Sequence, residues 1–274
     1  MAAEKSLAMV LRTVEFSESS YVATLFTEDF DKITALAKGA RRRKSAFESA
    51  LDLLSVSRVV FLRKSTDGID LLTEAKLERR FRAAAHSLRS LYSAYYVVEL
   101  LNSLTDEHDP HPELFRMAVR TVMDLDENRN PRESLLRFEL AVLRSLGQMP
   151  LLDRCVECGT LLPEGVRVAF GHLAGGALCP RCKVGQRHVV SLSAGGGKLL
   201  RTLADEIENL EQQPLVMQRG QLEEQCGNGT DQDAVSVAAP IVNAWGELRG
   251  LMDNRMSHAL GRRARMFAYL KALK

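Results

Sequence analysis

The chain lacks a strong excess of either charge: 37 Lys and Arg stand against 35 Asp and Glu in 274 residues. Global charge therefore selects no partner, and any electrostatic signal must lie in where the charges fall. Cysteines number five. An odd total, with four of them in two tight pairs, suits a reduced compartment and a metal better than a disulfide scaffold. Long apolar runs are absent as well. The most apolar stretch, Leu88 to Leu104, contains Arg89, Glu99 and Asn102, short of the ~20 apolar residues that span a bilayer. The run Leu7 to Leu11 is too short for the apolar part of a signal peptide and closes at Arg12. The expected setting is the cytoplasm, with no membrane partner.

Catalytic signatures are missing too. Gly195-Gly196-Gly197-Lys198 has the look of a phosphate loop, but Leu199 stands where Ser or Thr would bind Mg²⁺, and the earlier glycine is absent. It reads as a helix start. Ser, His and Asp residues show no nucleophile-elbow spacing, and His108 and His111 flank Pro110 in an acidic loop with only a weak metal signal. No active site emerges, and the chain is expected not to be an enzyme.

What is present is ordinary globular composition, 46 % apolar and 26 % charged, enough for a sizeable core in one large or two to three small domains. Residues 6 to 82 read as five short strands. They are a run through Leu7, Met9, Leu11 and Val14, then Tyr21–Phe26, Ile33–Ala37, Val56–Leu62 and Ile69–Leu77. Five strands in so short a segment predict a small closed barrel of the OB type, with an SH3-like barrel or an open sheet as alternatives. Near residue 83 the period changes. Apolar positions at three- and four-residue spacing predict helices through Ala84–Leu101, Leu114–Leu125 and Leu135–Leu146, whose short loops suggest an antiparallel three-helix bundle. A further helix is expected from about Ser191–Gly197 to Leu210, and others through Ile241–Met252 and Leu260–Leu270. Residues 211–239, rich in glutamine and without aromatics, read as a long loop or flexible segment. The fold class is thus α+β. A barrel occupies 1–82, a helical domain 83–152 and 188–274, and a cysteine lobe 153–187 is inserted in it.

The strongest motif is Cys155-x-x-Cys158 followed, after twenty residues, by Cys179-x-x-Cys182. Each knuckle puts two thiolates on one turn, and four thiolates fill the tetrahedral shell of Zn²⁺. With no position left for water or substrate, one zinc per chain is expected to be structural. Cys226 lies alone in the glutamine-rich segment and is a bystander.

The second signal is Lys38-Gly39-Ala40-Arg41-Arg42-Arg43-Lys44, a cationic run that follows a predicted strand. A solvated loop is the plain alternative. Arg63, Lys64, Lys76, Arg79, Arg80 and Arg82 on later strands argue instead for a basic face on the barrel that binds single-stranded DNA. Phe16, Tyr21, Phe26, Phe30, Phe47, Phe61 and Phe81 interleave with these charges, most of them as core. From Arg249 to the C-terminus seven Lys or Arg face one acid, Asp253. Arg262, Arg263 and Arg265 make that segment a third basic patch.

The run Thr27–Ser45 (TEDFDKITALAKGARRRKS) resembles the signature of the RecO family of DNA repair and recombination mediators. So do Asp109–Phe115 (DPHPELF), Arg137–Met149 (RFELAVLRSLGQM) and Leu260-Gly261-Arg262-Arg263. Asp31 stands where the family pattern usually has glycine. The resemblance implies an N-terminal OB fold, a helical domain and a four-cysteine zinc lobe. It also implies binding of single- and double-stranded DNA, annealing of complementary strands, and work with RecR to load RecA onto strands coated by single-stranded-DNA-binding protein. The tail of that coating protein would dock on the helical domain, and the protein would join the nucleoid during repair. Lys38, Arg41, Arg42, Arg43 and Lys44 would contact DNA, and Cys155, Cys158, Cys179 and Cys182 would hold zinc. The competing reading is a zinc-containing protein–protein adaptor without DNA binding.

Overall fold

The structure is a computed structural model and describes residues 3–42, 45–47, 49–64, 68–107, 109–215 and 232–272. It divides into two compact units, Met1–Ser134 with Ala264–Lys274, and Leu135–Arg263.

The first unit opens with β1 (Ala3–Ser17), β2 (Ser20–Thr27), β3 (Asp31–Ala37), β4 (Val56–Leu62) and β5 (Asp70–Arg79). They close into a barrel in the order β1-β2-β3-β5-β4, antiparallel except for the β3–β5 pair. This is an OB-like barrel, and closure removes the open-sheet alternative. All five predicted strands are present: Val56–Leu62 coincides, the first three run one to four residues beyond their apolar cores, and the fifth starts one residue late, at Asp70, and ends two residues late, at Arg79. β1 pairs with both β2 and β4, and its register shifts between Val10 and Arg12 and again between Glu15 and Ser17. Such bulges bend a long strand so that it can serve both edges of the closure. The alternation directs Ala8, Val10, Ala23, Leu25, Ala35, Phe61 and Leu72 into the core. The small inward alanines leave room for Phe61, wholly buried, and Phe47 from the β3–β4 connection. Burial of each large side chain contributes about 1.5–3 kcal/mol.

Two helices of this unit pack beside the barrel: α1 (Leu88–Leu104) and α2 (Pro112–Asp126). Ser87 caps α1 by accepting the N–H of Ser90, and Pro112 with Glu113 opens α2 as helix starts favour. Phe115 on α2 meets Phe26 on β2 with ring centroids 5.9 Å apart, and Lys32 Nζ donates to the Asn102 carbonyl at 3.1 Å. The short C-terminal α6 (Phe267–Ala272) also belongs here. Glu99 accepts the N–H groups of Arg265 and Met266 at 2.8 and 2.9 Å, and Tyr92 packs against Tyr269.

The second unit holds most of α3 (Pro131–Ser145), α4 (Ala194–Gln212), α5 (Gln232–Leu260) and a three-stranded sheet. The sheet has the order β7-β6-β8, from β6 (Val168–Gly171), β7 (Gly176–Leu178) and β8 (Val189–Leu192). Two expectations change. The three predicted helices do not form one bundle: α1 and α2 group with the barrel, whereas α3 from Leu135 groups with α4 and α5. Glu139, fully buried on α3, ties it to α5 through a two-pronged pair with Arg249 at 2.9 and 2.5 Å. The glutamine-rich segment is also shorter than read, since α4 reaches Gln212 and α5 has helical backbone from Gln232. Residues 216–231, with Cys226, lie outside the described ones. The GGGK run is indeed a helix start, capped where Ser193 accepts the N–H of Gly196. Among the described residues no helix is long and apolar enough to cross a membrane.

Candidate nucleic-acid interface and metal centre

In the second unit the two cysteine knuckles converge. The ligand atoms of Cys155, Cys158, Cys179 and Cys182 all lie within 4.8 Å of one another, a spacing that one ion can bridge. Local turns present them: Cys155 N–H donates to the Thr160 carbonyl at 2.8 Å, and Gly159 N–H to the Cys155 carbonyl at 2.8 Å. Gly159 has φ +71°, the left-handed conformation that glycine adopts without strain. Gly176 on β7 is required for a second reason. A Cβ there would come within 2.4 Å of Val156 Cγ1 and 2.7 Å of the Leu151 carbonyl, so only glycine lets β7 press against the first knuckle. Cys155 and Cys179 are buried, Cys182 is half-buried and Cys158 is exposed.

The thiols compete for protons. The Thr160 side chain and backbone hydrogen-bond to Cys158 and pull its pKa down to about 6. Hydrogen bonding to Cys179 and Cys158 pushes that of Cys182 up to about 12. Burial opposes ionisation of Cys155, but backbone groups of Cys179, Cys158 and Glu157 outweigh it and its pKa falls below the usual thiol value. Four sulfurs in one pocket cannot all ionise against each other's charge, and a bound cation removes that conflict. The donor set fits a soft or borderline metal ion.

The basic run leaves the barrel where β3 ends. Lys38 and Arg42 are exposed and Gly39 turns the chain with φ +74°. The loop folds over the end of the β1–β2 hairpin: Gly39 N–H reaches Ser20 Oγ at 3.4 Å and Arg41 N–H the Ser19 carbonyl at 3.1 Å. Beneath it is a cleft of ≈ 450 Å³ whose lining includes Tyr21, Arg41, Arg42, Phe47 and Asp52. Arg41 is held, 3.0 Å from Glu15 and 5.7 Å from the Tyr21 ring centroid. Lys38 and Arg42 make no ion pair among the described residues. Arg80 joins the cleft edge through Asp52 at 3.4 Å. Arg43 and Lys44 lie outside the described residues. Glu15 and Asp52 were missed from the sequence, where the cross-strand register of Glu15 with Tyr21 could have linked the first of them to the loop.

The single basic face does not form. Arg63 stacks over Phe30 at 5.2 Å, and Phe30 sits in the β2–β3 turn. That turn is the far end of β2 from the 38–42 loop, roughly 20–25 Å along the strand. Arg63 and exposed Lys64 therefore belong to the opposite end of the barrel. Arg79 leaves the set altogether. Its side chain is 13 % exposed and pairs with Glu127 at 2.5 Å and Asp126 at 3.9 Å, anchoring β5 to α2. Asp126 also accepts the N–H of Ala83 at 2.8 Å. Of the aromatics, Phe26, Phe47 and Phe61 are core, and Phe16 is 61 % exposed.

The C-terminal patch is consumed by structure only in part, since Arg262, Arg263 and Arg265 stay exposed. Arg249 pairs with Glu139, buried Arg255 donates to the carbonyls of His172 and Gln148, and Arg263 pairs with Asp253 at 3.3 Å. His111 contacts Asp109 at 3.2 Å, and His108 lies outside the described residues.

The family described as Recombination protein O N terminal matches residues 1–81, and that described as Recombination protein O C terminal matches residues 85–218. The chain is 45 % identical over 203 residues to a DNA repair protein RecO of Rhodopirellula baltica, covering 74 % of this chain and 75 % of that one. To the DNA repair protein RecO of Myxococcus xanthus it is 37 % identical over 203 residues, 72 % of this chain and 80 % of that one. To that of Halalkalibacterium halodurans it is 31 % identical over 197 residues, 72 % and 76 % of the two chains.

Proposed function

Because the chain belongs to the RecO family of DNA repair proteins, we propose that it is a non-enzymatic mediator that binds single- and double-stranded DNA. In this reading it anneals complementary strands and, with RecR, helps load RecA onto strands coated by single-stranded-DNA-binding protein. The observation that carries the reading is one loop of an OB-like barrel on which Lys38 and Arg42 are both exposed without ion-pair partners among the described residues, with Arg42 lining the cleft beneath it. Strands repel through their phosphates, and cations on the protein neutralise that charge while leaving base edges free to pair. Arg42 can grip phosphate with its planar fork and Lys38 as a point charge. Phosphate contacts carry no sequence information, which suits a mediator that must act on any strand, and no nucleotide hydrolysis is required.

The metal is zinc in this proposal. Four thiolates in two knuckles complete its shell, so it fastens the lobe and takes no part in chemistry. For the tail of the coating protein, a pocket of ≈ 260 Å³ in the second unit is the candidate, lined by Leu140, Met149, Leu152, Leu200 and Ala204. Arg201 stands beside them, bonded to the Leu152 carbonyl at 2.8 Å, with a buried Nε that has no partner among the described residues. The lining also carries Asp153, paired with Arg154 at 3.1 Å, and Asp205, so the apolar wall is what would take an apolar chain end, with Arg201 the cation beside it. The protein would act in the cytoplasm, at the nucleoid during repair.

The test is annealing of two complementary oligonucleotides, without nucleotide cofactor. Wild type should accelerate pairing, and K38A/R42A should lose at least tenfold of that acceleration. A folded, metal-loaded wild type that neither binds nor anneals DNA would return the chain to the protein–protein adaptor reading.

A further inference from the structure

Between Gly165 and Ala204 the sequence has six Lys or Arg and no Asp or Glu, in a chain whose charges otherwise nearly balance. Three of these cations, Arg181, Lys183 and Arg187, lie on the second cysteine knuckle and the turn that follows it, and all three are exposed. Many arginines among the described residues are paired with acids, among them Arg41, Arg58, Arg79, Arg80, Arg137, Arg144 and Arg249. Arg181, Lys183 and Arg187 have no ion pair among the described residues. The one acid drawn into the turn, Glu157, is met by Gln186 at 3.4 Å.

The turn is ordered by its own backbone. Lys183 N–H donates to the Cys179 carbonyl at 3.0 Å, Val184 N–H to the Arg181 carbonyl at 3.4 Å, and Gln186 N–H to the Lys183 carbonyl at 3.3 Å. Gly185, at φ +79°, lets it reverse. Cys182 N–H donates to Cys179 Sγ at 3.4 Å, so the base of the turn is the metal-ligand cluster itself. The result is a short, pre-ordered platform carrying three unpaired cations, with Val184 at 77 % exposure between them.

We propose that this knuckle is a second phosphate-binding surface, which holds a nucleic-acid strand separately from the barrel loop. It rests on the DNA-binding reading above and adds a second site on the other compact unit. A polyanionic backbone is the favoured occupant. Unpaired Lys and Arg on an exposed turn meet successive phosphates whatever the sequence, whereas an acidic peptide would also want an apolar pocket, and Val184 is a knob. Two separate cationic surfaces give an annealing protein a place for each of its two strands.

The experiment uses the full chain with its metal. Salt dependence of binding to a single-stranded oligonucleotide is compared between wild type and R181A/K183A/R187A, and a photo-crosslinking residue in place of Val184 reports contact directly. Three lost contacts should flatten the slope of log K against log salt by about 2, at about 0.7 per phosphate on single strands. The crosslink should appear with the native cations and fall at least tenfold in the triple variant. R181K/R187K should retain both, and unchanged metal content and circular dichroism show that the variants fold. Wild-type binding with an unchanged slope in the triple variant and no crosslink would overturn the second surface alone. Absence of any wild-type DNA binding would overturn the DNA-binding reading together with it. DNA-independent capture of an acidic peptide by the native cations, with no crosslink to DNA, would also overturn it.

Discussion

The Arg41 guanidinium lies 3.0 Å from the Glu15 carboxylate, on the facing strand of the hairpin beneath the basic loop, and 5.7 Å from the Tyr21 ring. Neighbouring Arg42 is exposed without such a partner among the described residues. Two adjacent arginines of one cationic run thus have different duties: Arg41 is held by the barrel and Arg42 is free to meet a phosphate.

This contrast predicts the effect of removing Glu15. In E15Q the anion that competes with phosphate for Arg41 is gone. An exposed pair of this kind is worth about 0.2–1 kcal/mol. DNA affinity at low salt should therefore rise about 1.4- to fivefold, with thermal stability nearly unchanged. Anisotropy titrations of E15Q against wild type check this, and a fall in affinity would refute the competition.

Arg79 predicts the opposite division of effects. Its partners Glu127 and Asp126 are 15 % and 4 % exposed, so R79A takes a cation from two acids largely out of water, leaving Glu127 its pair with Arg129 and Asp126 the N–H of Ala83. It should destabilise the first unit by about 1–3 kcal/mol, the cost of losing one partner of a buried polar group. Urea unfolding reads the loss, and DNA affinity per folded molecule should stay within about twofold.

At Gly176 a single methyl is the probe. With only 2.4 Å to Val156 Cγ1 and 2.7 Å to the Leu151 carbonyl, G176A must push β7 away from the first knuckle, at a cost of about 1–3 kcal/mol. Metal should be lost at lower chelator concentration than in wild type, measured by release into a colorimetric chelator.

Metal removal itself should act locally. Cys155, Cys179 and Leu178 form a small buried cluster of the lobe, too small to hold its fold without the ion. Chelation should open the lobe to trypsin at Arg181, Lys183 and Arg187 while the barrel strands stay protected from hydrogen exchange. Equal protection of the lobe with and without metal would contradict a structural role.

The barrel and the cysteine centre were legible because their signals are local. Alternation marks each strand within a few residues, and Cys-x-x-Cys puts both ligands on one turn. What escaped reading depends on contacts distant in sequence. Arg63 and Arg80 look equivalent as cations on later strands, yet closure of the barrel sends one to Phe30 and the other to Asp52. Arg79 reads as another basic residue until Asp126 and Glu127, 47 and 48 positions on, are brought beside it. Arg249 and Arg255 looked like part of a basic patch, but Glu139 and two backbone carbonyls, all more than 80 residues away, take them inside. The apolar period of α3 is as clear as that of α1 and α2. Period does not say which unit a helix joins.

The most direct test of the central claim, that DNA is held at the loop which closes over the barrel cleft, is the salt dependence of oligonucleotide binding by K38A/R42A. The account predicts that wild type binds single strands with a steep negative slope of log K against log salt. The double variant should flatten that slope by about 1.4, two contacts at about 0.7 each, with its fold and metal intact. A double variant whose slope and affinity match wild type would contradict the account.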